Sequence, residues 1–169
     1  MSRPRNEPVQ AVKQRRDAAL AALLAVSPYV GFLGVRIDRR GNELSATLPF
    51  DDRIIGNPVK PALHGGAIGA FLELTATLEL MWSVVWDIME EGGPGAEAIE
   101  TGAFPRWPKV INITVDYLRS GLPRDAYARA RIVRRGRRYA TVRVEAWQDD
   151  REKPFASATA HFLMPQDPA

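Results

Sequence analysis

The spacing of apolar residues along the chain changes period several times. Residues 8–26 carry apolar side chains at roughly helical spacing, and the Ser27-Pro28 step ends this first predicted helix. Residues 32–50 alternate apolar and polar side chains on both sides of Gly41-Asn42, which predicts a β-hairpin whose first strand already includes Leu33. Residues 51–63 contain two prolines and a glycine, so we expect a loop there.

The next segment is the most apolar part of the chain. From residue 66 to about 86, Ala, Leu, Ile and Phe occupy almost every face of a helix that begins near Gly65 and contains no breaker. A helix of this composition is expected to be buried. Residues 90–108, which follow it, contain glycines and prolines, and a connection of this length is often functional or mobile in a compact domain.

Four alternating segments complete the chain, and they are separated by glycine, proline or aspartate. They are KVINITVDYLR, DAYARARIVRR, RYATVRVEAWQDD and KPFASATAHFLM. The order of helix, two strands, buried helix and four strands predicts an α+β fold in which one long antiparallel sheet curls around the central helix.

Length and composition limit the classes of protein that fit. With 169 residues we expect a single domain over 1–169, made of a disordered stretch at 1–7, the helix at 8–26 and a core at 27–164. The chain has no cysteine, which excludes disulfides, a thiol nucleophile and cysteine-ligated zinc. We find no run of about 18 apolar residues and no secretory apolar segment near the start, so we expect a soluble cytoplasmic protein without membrane contact.

One carboxylate, Glu73, interrupts the apolar residues between His64 and Thr77. Burying its charge would cost several kcal/mol, on the order of a desolvated ion, unless the group is paired, protonated or facing a cavity. The start of the same helix offers backbone N–H groups, and in the sequence His64-Gly65-Gly66 the glycines leave these donors accessible. A carboxylate that attacks a carbonyl carbon, or activates water to do so, combined with an N–H that polarises the carbonyl oxygen would form a hydrolytic site.

The spacing of these two groups predicts an oligomer. Gly65 and Glu73 are eight residues apart, which is about 12 Å along a helix that rises about 1.5 Å per residue. One helix therefore cannot bring both groups to one carbonyl, whereas two copies with antiparallel helices could. A catalytic role would require a homodimer with two symmetric sites, each combining Glu73 of one subunit with the Gly65 N–H of the other.

The segments NPVKPALHGGAIGAFLELTAT, INITVDYLRSG and PFASATAHFLM resemble the hotdog-fold acyl-CoA thioesterases of the phenylacetic-acid-degradation (PaaI-like) type. The resemblance covers residues 27–164. It implies the hotdog fold, thioester hydrolysis between subunits, Glu73 as nucleophile or general base, and the Gly65 N–H as the donor that polarises the thioester carbonyl. It also implies an acyl-CoA substrate, a homodimer commonly assembled as a dimer of dimers, and neither metal nor cofactor, since coenzyme A is part of the substrate.

Other residues of the first of these segments each have a functional and a structural interpretation. Asn57 holds the active-site loop in the family, or it starts a turn. Thr77, four residues beyond Glu73, matches the branch of the family that acts on aromatic acyl-CoA, or it is a core threonine bonded to the carbonyl of residue 73. His64 shapes the loop and caps the helix in this family, so we assign it a secondary role in the site. Glu73 itself could be a structural carboxylate capped by the next subunit.

Basic residues cluster between residues 131 and 143, although the net charge is only +3. Arg137 and Arg138 in this cluster, together with Arg119 and Gly66, are candidate contacts for the substrate and for the phosphates of its coenzyme A. A solvated hairpin is the alternative interpretation. Nucleic acid is not expected as a partner, because we find neither aromatic interleaving nor a recognised binding motif.

Two other functions stay open. A hotdog enoyl-CoA hydratase or dehydratase would share the Asn57-Pro58-Val59 sequence, but Lys60 and Ile55 depart from its motif. A non-catalytic acyl-CoA-binding protein would bind the same ligand without turnover. Trp82 and Trp86, at positions i and i+4 of the apolar helix, are interpreted as packing residues.

Overall fold

The structure, a computed structural model, describes residues 8–166. Its helices are α1 (Val9–Ala25), α2 (Pro28–Leu33), α3 (Gly65–Glu91) and α4 (Gly93–Glu100). Its strands are β1 (Arg36–Arg40), β2 (Glu43–Leu48), β3 (Ile55–Asn57), β4 (Ala62–Leu63), β5 (Lys109–Tyr117), β6 (Ala126–Arg135), β7 (Tyr139–Trp147) and β8 (Ala156–Leu163). The disorder predicted for residues 1–7 concerns a stretch outside the described residues.

Six strands form one antiparallel sheet in the order β1-β2-β6-β7-β8-β5, while β3 and β4 form a separate ribbon. The sheet face towards α3 is built from small buried side chains at alternate positions, namely Ala126, Ala128, Ala140, Val142, Val144, Ala146, Ala156, Ala158 and Ala160. These small residues let the helix approach closely, and its larger Phe71 and Leu72 fill the space between the two layers. The sheet therefore wraps around a long buried helix, as predicted.

A second part of the core joins the end of α3 to α1 and α4. Leu23 of α1, Ile99 of α4 and Trp82 of α3 are almost fully buried in it. Arg16 of α1 stacks over the ring of Trp86 at 3.8 Å from its centroid. The N-terminal helix thus covers the half of α3 that lies furthest from its start, and the packing interpretation of the two tryptophans is confirmed.

Two short helices replace segments that were predicted to be extended or irregular. Pro28 stands at the start of α2 instead of only ending α1, because proline is favourable in a first helical turn. Leu33 is therefore helical, and the alternation that suggested a strand begins only after Gly34, whose φ of 67° ends the helix. In the connection 90–108, Gly92 ends α3 and Pro94 lies in the first turn of α4, so this stretch is not only a loop.

The expectation that no segment is apolar and long enough to span a bilayer was wrong. Helix α3 has 27 residues and meets both conditions by length and composition. In the fold, 56% of its most apolar window is buried inside the protein. The same composition is what a helix needs to fill the core of this sheet, which accounts for the apolar run without a membrane.

Candidate functional site

The start of α3 leaves a backbone donor without an acceptor. His64 occupies the N-cap position with an extended backbone, φ −64° and ψ 129°, and its Nδ1 accepts a hydrogen bond of 2.9 Å from the Gly66 N–H. Within residues 8–166, the Gly65 N–H donates no hydrogen bond. The predicted capping role of His64 is confirmed, and the first N–H of the helix, at the positive end of the helix dipole, is left without a partner among the described residues.

Two residues outside the predicted set fix the position of this helix start. The Tyr117 hydroxyl, at the end of β5, donates a 2.8 Å hydrogen bond to the Gly65 carbonyl. Gly56 in β3 approaches His64 so closely that a Cβ at Gly56 would lie 2.7 Å from the His64 Cα. Sequence reasoning missed both, although the aromatic residue that ends an alternating strand and the glycine before Asn57 were visible signals.

Glu73 is exposed in the single chain, so the prediction of a buried carboxylate was wrong at this level. The sheet covers one side of α3 and leaves the other side facing outward. Residues three, four and seven positions apart share a helix face, so they form a strip on this outward side. This strip is formed by small residues around the carboxylate, namely Gly66, Gly69, Ala70 and Thr77. Glu73 and the start of the helix therefore lie on one open surface, about 12 Å apart along the axis.

Thr77 and Asn57 make the local hydrogen bonds of their structural interpretations. The Thr77 hydroxyl donates to the Glu73 carbonyl at 2.9 Å. The Asn57 Oδ1 accepts from the N–H groups of Val59 and Lys60 at 3.0 and 3.1 Å, which closes a turn in front of the helix start. These local hydrogen bonds hold both side chains in place near the open surface.

The α3 carboxylate that the fold half-buries is Glu79, which sequence reasoning overlooked. Burial, and secondarily the charge of Glu43, raise the pKa of Glu79 to about 7, although the Arg129 guanidinium opposes the shift. Strands β2 and β6 pair only between Ala46–Leu48 and Ala126–Ala128. Beyond these residues the two strands are not paired with each other, and a cavity of about 390 Å³ lies there beside Glu79. The signal was present in the sequence, because Glu79 is a second charge in the same apolar run.

The three candidate arginines lie at two separate places, Arg119 after β5 and the adjacent Arg137 and Arg138 between β6 and β7. Arg119 follows β5, and its guanidinium donates to the Pro154 carbonyl at 3.1 and 3.2 Å. Arg137 and Arg138 are exposed in the β6–β7 turn, whose neighbour Arg135 pairs with Asp87 near the end of α3.

That end of the helix is 22 residues beyond Gly65, which is about 33 Å along the axis. One chain therefore does not bring Arg137 and Arg138 to the helix start. Among residues 8–166, no three His, Cys, Asp or Glu side chains lie close enough together to hold a metal ion.

A second cavity, of about 460 Å³, lies beside the start of α3 and reaches under α2. His64, Gly66 and Ala67 are among its lining residues. Its charged lining is an ion pair in which the Arg53 guanidinium bonds to Asp51 at 2.6 Å. The side-chain and backbone hydrogen bonds from Arg53 hold the pKa of Asp51 at about 2, so this carboxylate stays ionised and paired at neutral pH.

Comparison with known proteins gives consistent matches. The family model of the acyl-CoA thioesterase N-terminal domain matches residues 56–163. The medium/long-chain acyl-CoA thioesterase YigI of Salmonella typhimurium is 28% identical over 141 residues, which cover 81% of this chain and 85% of that protein.

Solved structures with the same fold are also found. A protein from Chromobacterium violaceum is 35% identical with a TM-score of 0.62, covering 93% of this chain and 98% of its own. The E. coli PaaI protein from the phenylacetic acid degradation operon has a TM-score of 0.68 at 13% identity, covering 90% of this chain and 95% of its own. The predicted hotdog architecture is confirmed.

Proposed function

From the premise that the chain belongs to the acyl-CoA thioesterase family, whose members are thioester hydrolases, we propose which of its residues perform the hydrolysis. The Glu73 carboxylate adds to the thioester carbonyl carbon of an acyl-CoA, or takes a proton from a water molecule that adds there. The Gly65 N–H stabilises the negative charge that develops on the carbonyl oxygen. The carbon–sulfur bond then breaks, and water is consumed to give a free acid and coenzyme A.

The observation that carries this proposal is the unpaired Gly65 N–H. His64 satisfies the next N–H of the helix and Tyr117 bonds to the Gly65 carbonyl, so both sides of the residue are held while its own donor stays free. A donor fixed in advance needs no reorganisation when charge develops in the transition state, which is the main advantage of an oxyanion hole.

The acid must come from a second subunit. Glu73 and the Gly65 N–H share the outward strip of α3 but are about 12 Å apart on one helix, so we propose a homodimer with antiparallel α3 helices and two sites across the interface. The small residues Gly66, Gly69 and Ala70 on the strip support this arrangement, since they allow a close approach of another backbone. Two such dimers would associate as a dimer of dimers, as is common in the family.

The edge of the sheet supports the same interface. Strand β5 is nine residues long and pairs only with β8, so its other edge has no partner strand within residues 8–166. Ile111, Tyr117 and Leu118 on and after this strand are more than half exposed. A long uncovered edge with apolar side chains is a ready template for pairing with another chain.

The remaining candidate residues have supporting roles in the proposal. Asn57 holds the loop before the helix start, Thr77 contacts the attacking water or the substrate, and Gly66 leaves room for the thioester. Arg137 and Arg138, together with Arg119, bind the coenzyme A phosphates. The arginines of the β6–β7 turn would do so from the partner subunit, because in their own subunit they are about 33 Å from Gly65 along the helix axis.

The Gly65 donor can be removed without removing the helix. Proline is tolerated at the first helical position, and the extended backbone of His64 is compatible with a following proline. Gly65→Pro should therefore keep the fold, lose the N–H and lower kcat by about 10²- to 10³-fold. Gly65→Ala is the matched control, because its added Cβ would lie 3.4 Å from Tyr117 while the N–H is retained. Steady-state hydrolysis of decanoyl-CoA measures both variants.

If Gly65→Pro retains the turnover of Gly65→Ala while circular dichroism shows the same helix content, the proposed oxyanion donor is wrong. If the unaltered protein binds acyl-CoA tightly and hydrolyses none, the non-catalytic binding function replaces the proposal.

A further inference from the structure

The cavity beside the start of α3 has a mainly apolar wall that the proposed hydrolytic mechanism does not use. Seven of its lining side chains are aromatic, aliphatic or proline, namely Tyr29, Phe32, Leu33, Pro49, Phe50, Ile54 and Ile55. His64, Gly66 and Ala67 at the helix start also line the cavity. An apolar chamber thus adjoins the proposed position of a thioester carbonyl.

The outer wall of the cavity is an aromatic pair on α2. Tyr29 and Phe32 stack with centroids 5.6 Å apart and planes at 17°, and they are 48% and 69% exposed. The helix that carries them is anchored by Val30, which is 5% exposed in the core. The pair is therefore held at the cavity by its helix, while a large apolar surface remains uncovered by residues 8–166.

The polarity of the cavity lining favours the acyl chain of an acyl-CoA over its phosphates and its pantetheine arm. Its charged groups, Asp51 and Arg53, neutralise each other, so nothing on this wall selects for phosphate groups. The pantetheine arm carries two amides, and amides placed against seven apolar side chains would lose hydrogen bonds to water without replacement. A hydrocarbon chain has no such cost and gains free energy with every buried methylene.

The size of the cavity favours a long acyl chain over a single aromatic ring. A cavity of about 150 Å³ is sufficient to hold one benzene ring, and this one is about 460 Å³. A single aromatic ring would leave most of it unfilled, and unfilled apolar space forfeits dispersion contacts. An unbranched chain of medium or greater length fills it better.

We propose that this cavity is the acyl pocket, and that Phe32 and Tyr29 on α2 select unbranched medium- to long-chain acyl groups. The inference rests on the proposed function, because the pocket shares His64 and Gly66 with the helix start at which hydrolysis would occur. The thioester carbonyl lies at the helix start, the hydrocarbon chain extends under α2, and the coenzyme A moiety leaves in another direction.

Two variants change the pocket in opposite ways. Phe32→Ala removes the more exposed ring of the outer wall and should lower the ratio of kcat/KM for decanoyl-CoA to kcat/KM for butanoyl-CoA by about ten-fold, the loss of roughly one buried apolar side chain. Gly31→Leu adds bulk where a Cβ would meet no atom within 4 Å, and the backbone of this helical residue accepts a side chain. It should lower the same ratio while retaining hydrolysis of butanoyl-CoA.

Tyr127→Ala is the matched control. This aromatic residue is 38% exposed on β6, where it contacts Trp147 and does not line the cavity. Its removal should leave the decanoyl-to-butanoyl ratio unchanged. If Phe32→Ala and Gly31→Leu lower kcat/KM equally for acetyl-, butanoyl- and decanoyl-CoA, chain selection by this cavity is wrong.

Binding of free decanoate, measured by isothermal titration calorimetry, tests the pocket without turnover. The unaltered protein should bind decanoate, and Gly31→Leu should bind it at least ten-fold more weakly. Equal binding by both proteins would overturn the pocket even if acyl-CoA hydrolysis is observed. Failure of the unaltered protein to hydrolyse any acyl-CoA would overturn the proposed function, whereas decanoate binding that Gly31→Leu weakens would still support the pocket.

Discussion

Two glutamates of α3, six residues apart, have opposite environments. Glu73 is exposed on the outward strip near the helix start, whereas Glu79 lies beneath the opening between β2 and β6 and has its pKa raised to about 7. The sequence alone does not separate them, because both interrupt the same apolar run. Their difference shows that the burial of a charge is set by the sheet, and that the carboxylate proposed to react is the one that the single chain leaves open.

The two halves of α3 differ in the same way. Around its start, the Gly65 N–H forms no hydrogen bond within residues 8–166, and the Glu73 carboxylate is exposed. Towards its end, α1 and α4 cover the helix, and two of its carboxylates are paired, Asp87 with Arg135 and Glu90 with Arg16. The covered half stabilises the fold, and the open half is free to contact a substrate and a second subunit.

The largest expected effect is on turnover. Glu73→Gln preserves the shape of the side chain but removes the base or nucleophile, so kcat should fall by at least about 10³-fold. Glu79→Gln on the same helix should keep kcat within about three-fold, because it lies on the covered side. Hydrolysis of decanoyl-CoA by the two variants measures the contrast, and equal losses would remove the distinction between the open and covered halves.

The next effect is on stability and its pH dependence. The pKa of Glu79 is raised from 4.5 to about 7 in the folded protein, so the unfolded chain releases this proton at lower pH and stability falls as the pH rises from about 4.5 to about 7. Glu79→Gln removes that loss and should raise the free energy of unfolding at pH 8 by up to about 3 kcal/mol. At pH 4 the two proteins should differ little. Urea unfolding at both pH values measures this.

Glu73→Gln is the comparison for this experiment. Because Glu73 is exposed, its replacement should change the free energy of unfolding by no more than about 0.5 kcal/mol at either pH. A gain at pH 8 for Glu73→Gln but not for Glu79→Gln would reverse the assignment of the two environments.

The smallest effect is expected at the far end of the helix. Replacing Arg137 and Arg138 together by Gln should raise KM for decanoyl-CoA by about three- to ten-fold at low salt with kcat unchanged, since these charges would bind phosphates only. The increase should shrink at high ionic strength. Arg40→Gln, at another exposed position, is the control. A salt-independent loss of kcat would show that the turn acts on the helix rather than on coenzyme A.

Much of the fold could be predicted because local signals agree with it. The Gly41-Asn42 turn, the helix start at Gly65 and the four final strands lie where the alternation and the breakers predicted them. The predicted thioesterase family is confirmed by the match over residues 56–163. Two errors in the helix boundaries concern prolines, since Pro28 and Pro94 can end one helix or begin another, and only tertiary packing decides between these outcomes.

The candidate site was predictable only in part. The distance between Gly65 and Glu73 follows from helix geometry alone, and the cap by His64 follows from its position. The hydrogen bond from Tyr117 and the close approach of Gly56 join residues distant in sequence or depend on a turn, so no periodicity reveals them. The burial of Glu79 and the exposure of Glu73 depend on where the sheet ends, which the pattern along a single helix does not contain.

Complementation between two inactive variants tests most directly whether each site combines Glu73 of one subunit with the Gly65 N–H of the other. Glu73→Gln retains the Gly65 donor, and Gly65→Pro retains the Glu73 acid. If each site combines the two groups across a dimer interface, random mixing of co-expressed subunits should restore about a quarter of the wild-type sites, because half of the dimers are mixed and each has one intact site. We expect turnover near that level from a mixture of two almost inactive proteins, and a mixture no more active than its components would contradict a site shared between subunits.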